Sequence, residues 1–451
     1  MDAPGFGDAG GLNVHVRALG GQLSALGWDV EILTRRTGSQ QPESLRTDDG
    51  VLVRYLEAGP TAMVPKEELP RVVNAFATSI DSVAPFDIYH SHYWLSAAAV
   101  QASMKAQSAP HVLSLHTVGA LKNRHLAAGQ PSEPAGRLRD EGRLARGAAA
   151  VIAATDAERD ALAELYGVDA ARIEVIEPGV DVTLFHPRSR LDVIDGAREA
   201  VIDAVIEAAH DAARDGVSDR TREGAPHRGR EGAPDRRRTR DGSGDNVNDD
   251  MLREVAGDLL VVGRVQPLKR QDLAIRALSR IDPPHRPRLI LVGDVSGPSG
   301  GYPEHLRALV AARGLETDVV FAGAESRDRV AELMAASAVV LIPSASETYG
   351  LVALEAAASG IPVIATASAG LFDSVDDGTT GILVPRSEDP VEEEWAWASR
   401  IVRVVSDRPL WERLSRSAIA RASDRTWEAT ARRTAAVYER ALQERSLLRS
   451  S

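Results

Sequence analysis

Residues 342–366 read IPSASETYGLVALEAAASGIPVIAT. The apolar run 339–342 leads into this stretch and the run 363–365 closes it. Both runs are short, rich in branched residues and free of polar side chains, the pattern of strands buried on both faces of a parallel sheet. Between them lie a polar loop and an apolar segment long enough to be a crossover helix, so the stretch spells strand, loop, helix, strand. Glu347 falls in the loop and Glu355 in the helix, eight residues on. Carboxylates accept hydrogen bonds from vicinal hydroxyls, which suits sugars and riboses. The helix start near 349–351 offers backbone N–H groups to phosphate. Simple helix capping would account for Glu347. It would not account for Glu355, which sits among Leu351, Val352, Leu354 and Ala356, where a carboxylate needs a partner.

The same alternation extends in both directions. Runs at 259–262, 288–292, 319–322 and 381–384 read as further strands of the second half. Runs at 30–34, 51–56, 86–90, 111–115, 149–154 and 173–176 do the same in the first half, with helical spacing at 12–26 and 157–166 between them. The pattern predicts an α/β protein of two Rossmann-like halves, with ligands outside the C-terminal strand ends and the site in the cleft between the halves. From 214 to 250 the chain is rich in Arg, Asp, Gly and Pro, lacks aromatics, and repeats REGAP at 222–226 and 230–234. This composition predicts a disordered linker, entered through a helical piece at 192–213. The expected division is a first Rossmann-like domain at 1–187, a linker at 188–250, a second domain at 251–425 and a C-terminal helix at 426–451 that returns to the first domain. A doubly wound domain opens on a strand, whereas here the glycine-rich turn of Gly5, Gly7, Gly10 and Gly11 comes first. The expectation is that the first strand of the N-terminal domain is missing and that Met1 is an internal methionine.

Composition narrows the function. The chain has 451 residues, 43% hydrophobic and 26% charged, enough for two or three domains with full cores. A formal net charge of −12 argues against a general nucleic-acid binder. The absence of cysteine removes disulfides and thiolate chemistry. No apolar run reaches the roughly 18 residues of a spanning helix, and the opening MDAPGFGDAGG has no signal-peptide pattern, so a cytoplasmic, membrane-free protein is expected. Of the 53 basic residues only Lys66, Lys105, Lys122 and Lys269 are lysine, which gives each a modestly raised claim to a specific task.

Four further motifs could carry chemistry. GFGDAGGLNVHV (5–16) runs from a glycine-rich turn into a helix and could receive phosphate; a loop that merely needs glycine geometry is as good a reading. VGRVQPLKRQD (262–272) follows a buried strand and places Arg264 and Lys269 just past its end, where two cations suit a diphosphate. HSHYW (90–94) and LHT (115–117) end strands and gather His90, His92 and His116. A metal there is disfavoured because no carboxylate spacing accompanies them. Lys66 and Arg137, read alone, are surface charges.

Together these motifs resemble the GT-B retaining glycosyltransferases of family four, through GGLNVHV, HSHYW, the GRVQPLK run and SETYGLVALEA with its paired glutamates. The resemblance covers nearly the whole chain outside the linker. It implies a nucleotide-sugar donor held by the C-terminal half, with Arg264 and Lys269 neutralising the departing diphosphate, Glu355 on the ribose, Glu347 on the transferred sugar, Gly11 against the donor phosphates and His116 at the reacting centre. Retention in that family is described as front-face, so no covalent nucleophile is needed. In the acceptor half, GDAGGLNVH, AGP then KEELP, HSHYWLS, HT then LKN, and the Arg137 region are similar to the branch that serves mycothiol biosynthesis. That branch moves N-acetylglucosamine from UDP-GlcNAc to 1D-myo-inositol 3-phosphate. By this similarity Asn13, Lys66, Tyr93, Thr117 and Arg137 would contact the acceptor, with Asp8 and Gly10 in the adjoining loop, and a homodimer is implied. Magnesium is compatible with the chemistry, though no carboxylate cluster demands it. Arg270 stands where many relatives carry glycine, a harmless variation on this reading.

Overall fold

The computed structural model describes residues 10–65, 67–83, 85–124, 132–188, 257–295 and 301–450. The expected linker, the expected opening segment, Asp8 and Lys66 lie outside them.

The N-terminal domain begins with helix α1 (Gly11–Ala25) and strands β1 (Glu31–Arg35), β2 (Ser44–Arg46) and β3 (Leu52–Leu56). Helix α2 (Val73–Ser82) leads to β4 (Tyr89–His92), α3 (Trp94–Ala102) and β5 (His111–Ser114). Then come α4 (Gly119–Arg124), α5 (Ala135–Gly147), β6 (Ala150–Ala153), α6 (Asp156–Tyr166) and β7 (Ile173–Val175). Among the described residues this domain holds two sheets, β1-β3-β2 and the all-parallel β4-β5-β6-β7. No described strand joins β1 to β4. Strand β4 starts three residues later and ends two residues later than the 86–90 pattern suggests, and Phe86 precedes it, edge-on to Tyr89 with ring centroids 5.4 Å apart. His90 and His92 are therefore inside the strand.

The C-terminal domain alternates strictly. Its elements are β8 (Asp258–Val262), α7 (Gln271–Leu278), β9 (Leu289–Val292), α8 (Tyr302–Arg313), β10 (Val319–Gly323), α9 (Arg327–Ala336), β11 (Ser337–Ile342), α10 (Leu351–Ala358), β12 (Val363–Thr366), α11 (Leu371–Ser374) and β13 (Gly381–Val384). The strand order is β10-β9-β8-β11-β12-β13, all parallel. The order reverses between β8 and β11, and the crevice outside such a reversal is where open sheets bind ligands. Strands β9, β11 and β12 are buried along their whole length, as helices on both faces require.

Two capped helices follow, α12 (Pro390–Ser406) and α13 (Arg408–Ser423), each opened by an aspartate that accepts a backbone N–H, Asp389 from Val391 and Asp407 from Leu410. Helix α14 (Trp427–Ser450) then packs on the N-terminal domain. Ala431, Ala435, Val437 and Tyr438 share a buried cluster with Leu19 and Leu23 of α1 and with Val112 and Ile152 of the sheet. The crossover is fixed by backbone: Val180 N donates to Arg425 O at 2.8 Å, and Val180 bridges Thr426.

Candidate active site

Two loops meet at the switch point of the C-terminal sheet. The loop after β8 carries Arg264 and Lys269, and the loop after β11 carries Glu347. Lys269 Nζ donates to Glu347 Oε1 at 2.6 Å, so the point charge and the carboxylate already face one another. The Glu347 loop is backed closely. At Gly370 (φ 81°) a Cβ would lie 2.3 Å from Glu347 O, so only glycine fits there. Glu355, one turn into α10, has the partner its apolar surroundings demand. Arg327, at the start of α9, donates to Glu355 Oε1 at 3.1 Å and stacks over the Phe185 ring at 5.3 Å. Burial still pushes the Glu355 carboxyl up to about 7, with Arg327 acting against the shift.

On the N-terminal side Tyr93, Thr117 and Arg137 are brought together. The Arg137 guanidinium lies 5.2 Å from the Tyr93 ring centroid. Its Nη2 donates to Thr117 O at 3.3 Å, its Nη1 to Glu133 at 2.7 Å and its Nε to Glu141 at 2.6 Å. Glu141 is wholly buried and also accepts from Gly119 N at 2.8 Å and from Tyr166 Oη at 2.5 Å. Lys122 joins the group by donating to Glu133 at 2.5 Å. The Glu133 carboxylate thus lies between two cations. Burial raises the Tyr93 phenol above its ordinary value.

Three non-glycine residues among those described have positive φ: Tyr93 at 81°, His116 at 59° and Arg270 at 52°. Such conformations cost on the order of 1–3 kcal/mol each and tend to gather at functional sites. Tyr93 is held by donating its backbone N–H to Ser114 O at 2.8 Å. His116 follows β5, and its Nε2 lies 2.8 Å from His92 Nδ1. Arg270 holds its conformation with a two-pronged pair to Glu393, at 2.6 and 2.9 Å.

The two halves touch here. Thr117 Oγ1 lies 3.4 Å from Thr348 Oγ1, next to Glu347. A Cβ on Gly11 would lie 3.4 Å from Leu351 Cδ1, and one on Gly10 would lie 3.8 Å from Arg264 Nη2, so the start of α1 faces the loops after β8 and β11. Asn13 sits in the first turn of α1, its N–H donating to Gly10 O at 3.0 Å. Several residues of this arrangement escaped the sequence reading. Lys122 carried a faint signal in the scarcity of lysine. Glu133, Glu141, Tyr166, Arg327 and Thr348 carried none, because each matters through a partner distant in the chain or hidden in a helix.

Residues 10–179 match the family described as glycosyl transferase 4-like domain, and residues 252–421 match glycosyl transferases group 1. D-inositol 3-phosphate glycosyltransferase of Kineococcus radiotolerans is 36% identical over 99% of this chain and 94% of its own. The protein of the same name from Frankia alni is also 36% identical, over 98% of this chain and 97% of its own. Among solved structures, sucrose-phosphate synthase from Thermosynechococcus elongatus superposes with a TM-score of 0.74 at 25% identity, covering 100% of this chain and 97% of that one. Anabaena HepE in complex with UDP and glucose has a TM-score of 0.67 at 20% identity, over 97% and 98%, and shares the fold. The chain belongs to the GT-B glycosyltransferases of family four, and its full-length relatives include proteins named D-inositol 3-phosphate glycosyltransferase. Among the described residues no helix is long and apolar enough to cross a membrane.

Proposed function

We propose that this glycosyltransferase moves N-acetylglucosamine from UDP-GlcNAc to 1D-myo-inositol 3-phosphate with retention. The bond from the sugar C1 to the UDP oxygen breaks, and a bond from C1 to an inositol oxygen forms on the same face. The inositol hydroxyl proton leaves towards the departing diphosphate. Arg264 and Lys269 stabilise the charge that develops on UDP, the kind of preorganised electrostatic help that dominates many catalysed group transfers. Glu347 and Glu355 take hydroxyls of the transferred sugar and the ribose. Gly11 leaves room for the diphosphate beside α1, and His116 lies beside the reacting carbon. Asn13, Lys66, Tyr93, Thr117 and Arg137 receive the acceptor, with Asp8 and Gly10 in the adjoining loop. The working unit is a homodimer in the cytoplasm. Two cations already match the diphosphate charge, so transfer proceeds without a metal, and a chelator leaves the rate unchanged.

The observation that carries this reading is the run of contacts across the halves: Lys269 to Glu347, the neighbouring Thr348 to Thr117, and Thr117 to Arg137. The names of the full-length relatives support the acceptor. A second reading keeps the chemistry and changes the acceptor to another phosphorylated sugar, since the two cations Lys66 and Arg137 would recognise a phosphate and leave the ring unspecified. The test is UDP release from UDP-GlcNAc with inositol 3-phosphate, hexose 6-phosphate or plain inositol. Release with the first alone supports the proposal; preference for the hexose phosphate selects the second reading.

A further inference from the structure

Four imidazoles gather where β4, the end of β5 and α1 converge. Ring centroids lie 4.2 Å apart for His90 and His92, 5.0 Å for His92 and His116, and 4.8 Å for His15 and His116. His90 is committed, with Nδ1 2.6 Å from Tyr438 Oη and Nε2 2.9 Å from Ser114 Oγ. The other three are not tied down in this way. One ring nitrogen from each of His15, His92 and His116 lies within 4.8 Å of the other two. All three residues keep partial exposure. We propose that His15, His92 and His116 form a three-imidazole site for a borderline divalent transition-metal cation of the zinc class, with the fourth position open.

The geometry is close to what such an ion needs. Zinc–nitrogen bonds of about 2.0–2.1 Å in a tetrahedron put the donor atoms about 3.3 Å apart. The contact between His92 Nδ1 and His116 Nε2 is 2.8 Å, and the widest separation in the trio is 4.8 Å, so modest rotations of the rings bring all three to that spacing. The ligand atoms must carry free lone pairs. Burial holds His15 down to about 4, and burial with neighbouring imidazoles holds His92 and His116 well below their ordinary value. At neutral pH no charged ring has to lose a proton. The hydrogen between His92 and His116 only has to move to the far nitrogen of the ring that holds it. Nitrogen donors without carboxylates select zinc, cobalt, nickel or copper over magnesium, which prefers oxygen. Trp427, edge-on to His15 at 5.1 Å between centroids, closes one side.

A filled site would draw His116 onto the ion. On the transferase reading above, where His116 lies at the reacting centre, zinc is then a reversible inhibitor. The test uses tag-free full-length protein titrated with cobalt(II). The chain has no cysteine, so any strong visible band reports nitrogen and oxygen ligands only. The expected result is one equivalent with the intense band of four- or five-coordinate cobalt, displaced by zinc and weakened at least tenfold in His15→Ala and in His92→Ala. His285→Ala, exposed on the other domain, leaves it unchanged. Absence of the band, or its persistence in both variants, overturns the site. If His92→Ala fails to fold by circular dichroism, His15→Ala alone decides. Cobalt binding without zinc inhibition of UDP release would keep the site and remove the inhibition. A protein that releases no UDP even without zinc would sink the transferase reading and leave the cobalt result standing.

Discussion

Arg137 has each of its guanidinium nitrogens on a different oxygen, from Glu141, Glu133 and Thr117. It anchors the buried α5 network, and the proposed function also gives it a place at the acceptor. Arg137→Ala would leave Glu141 buried without its cation, and we expect a loss of roughly 3–5 kcal/mol in denaturant unfolding. Acceptor recognition is better tested at Lys66, the other cation of the proposed acceptor set. Lys66→Met is expected to raise the acceptor KM about tenfold, the scale of one lost charged hydrogen bond, with the donor KM unchanged. Lys269→Ala should do the opposite, lowering kcat roughly 100- to 1,000-fold through lost stabilisation of departing charge. Glu355 gives the site a pH signature. Its carboxyl is raised to about 7, so it is protonated below neutrality and ionised above. The ionised form accepts hydroxyl hydrogen bonds more strongly. Donor kcat/KM is expected to climb between pH 6 and 8 and to lose that climb in Glu355→Gln.

Strands and helices differ in how far the sequence foretold them. Buried parallel strands such as β9, β11 and β12 announce themselves by unbroken apolar runs. Strand β2 is three exposed residues that pair with β3, and nothing apolar marks it. Strand β4 was displaced because His90, Ser91 and His92 are polar residues inside a strand. The candidate site was legible to the extent that its residues sit at strand ends. The pairings Arg327–Glu355 and Thr117–Thr348 depend on how elements fold together, and no local pattern encodes them. Arg270 illustrates a strained backbone whose cost is met elsewhere. It occupies a left-handed position at the start of α7 and is held by Glu393, whose side chain is 5% exposed. Arg270→Gly would relieve about 1–2 kcal/mol of backbone strain but strand that carboxylate at about 3–5 kcal/mol. A net loss of about 1–4 kcal/mol is expected from thermal unfolding, largely recovered in the double variant with Glu393→Gln.

At the scale of the molecule, the last helix ties the domains. Tyr438 is buried in the cluster shared by α1, α14 and the N-terminal sheet, and its hydroxyl meets His90. Tyr438→Ala should cost about 3–5 kcal/mol and Tyr438→Phe about 1 kcal/mol by the same unfolding measurement. The junction also reaches the donor side, since Arg425 donates to Tyr349 Oη at 2.7 Å and pairs with Glu177 at 3.0 Å. The proposed reaction depends on a division of labour in which one domain holds the activated sugar and the other presents the phosphorylated acceptor. The most direct measurement is the rate of UDP release from UDP-GlcNAc with and without 1D-myo-inositol 3-phosphate. The expected result is release that needs the acceptor and exceeds that with unphosphorylated inositol at least tenfold. Release at the same rate with no acceptor, or with plain inositol as good a substrate, would contradict it.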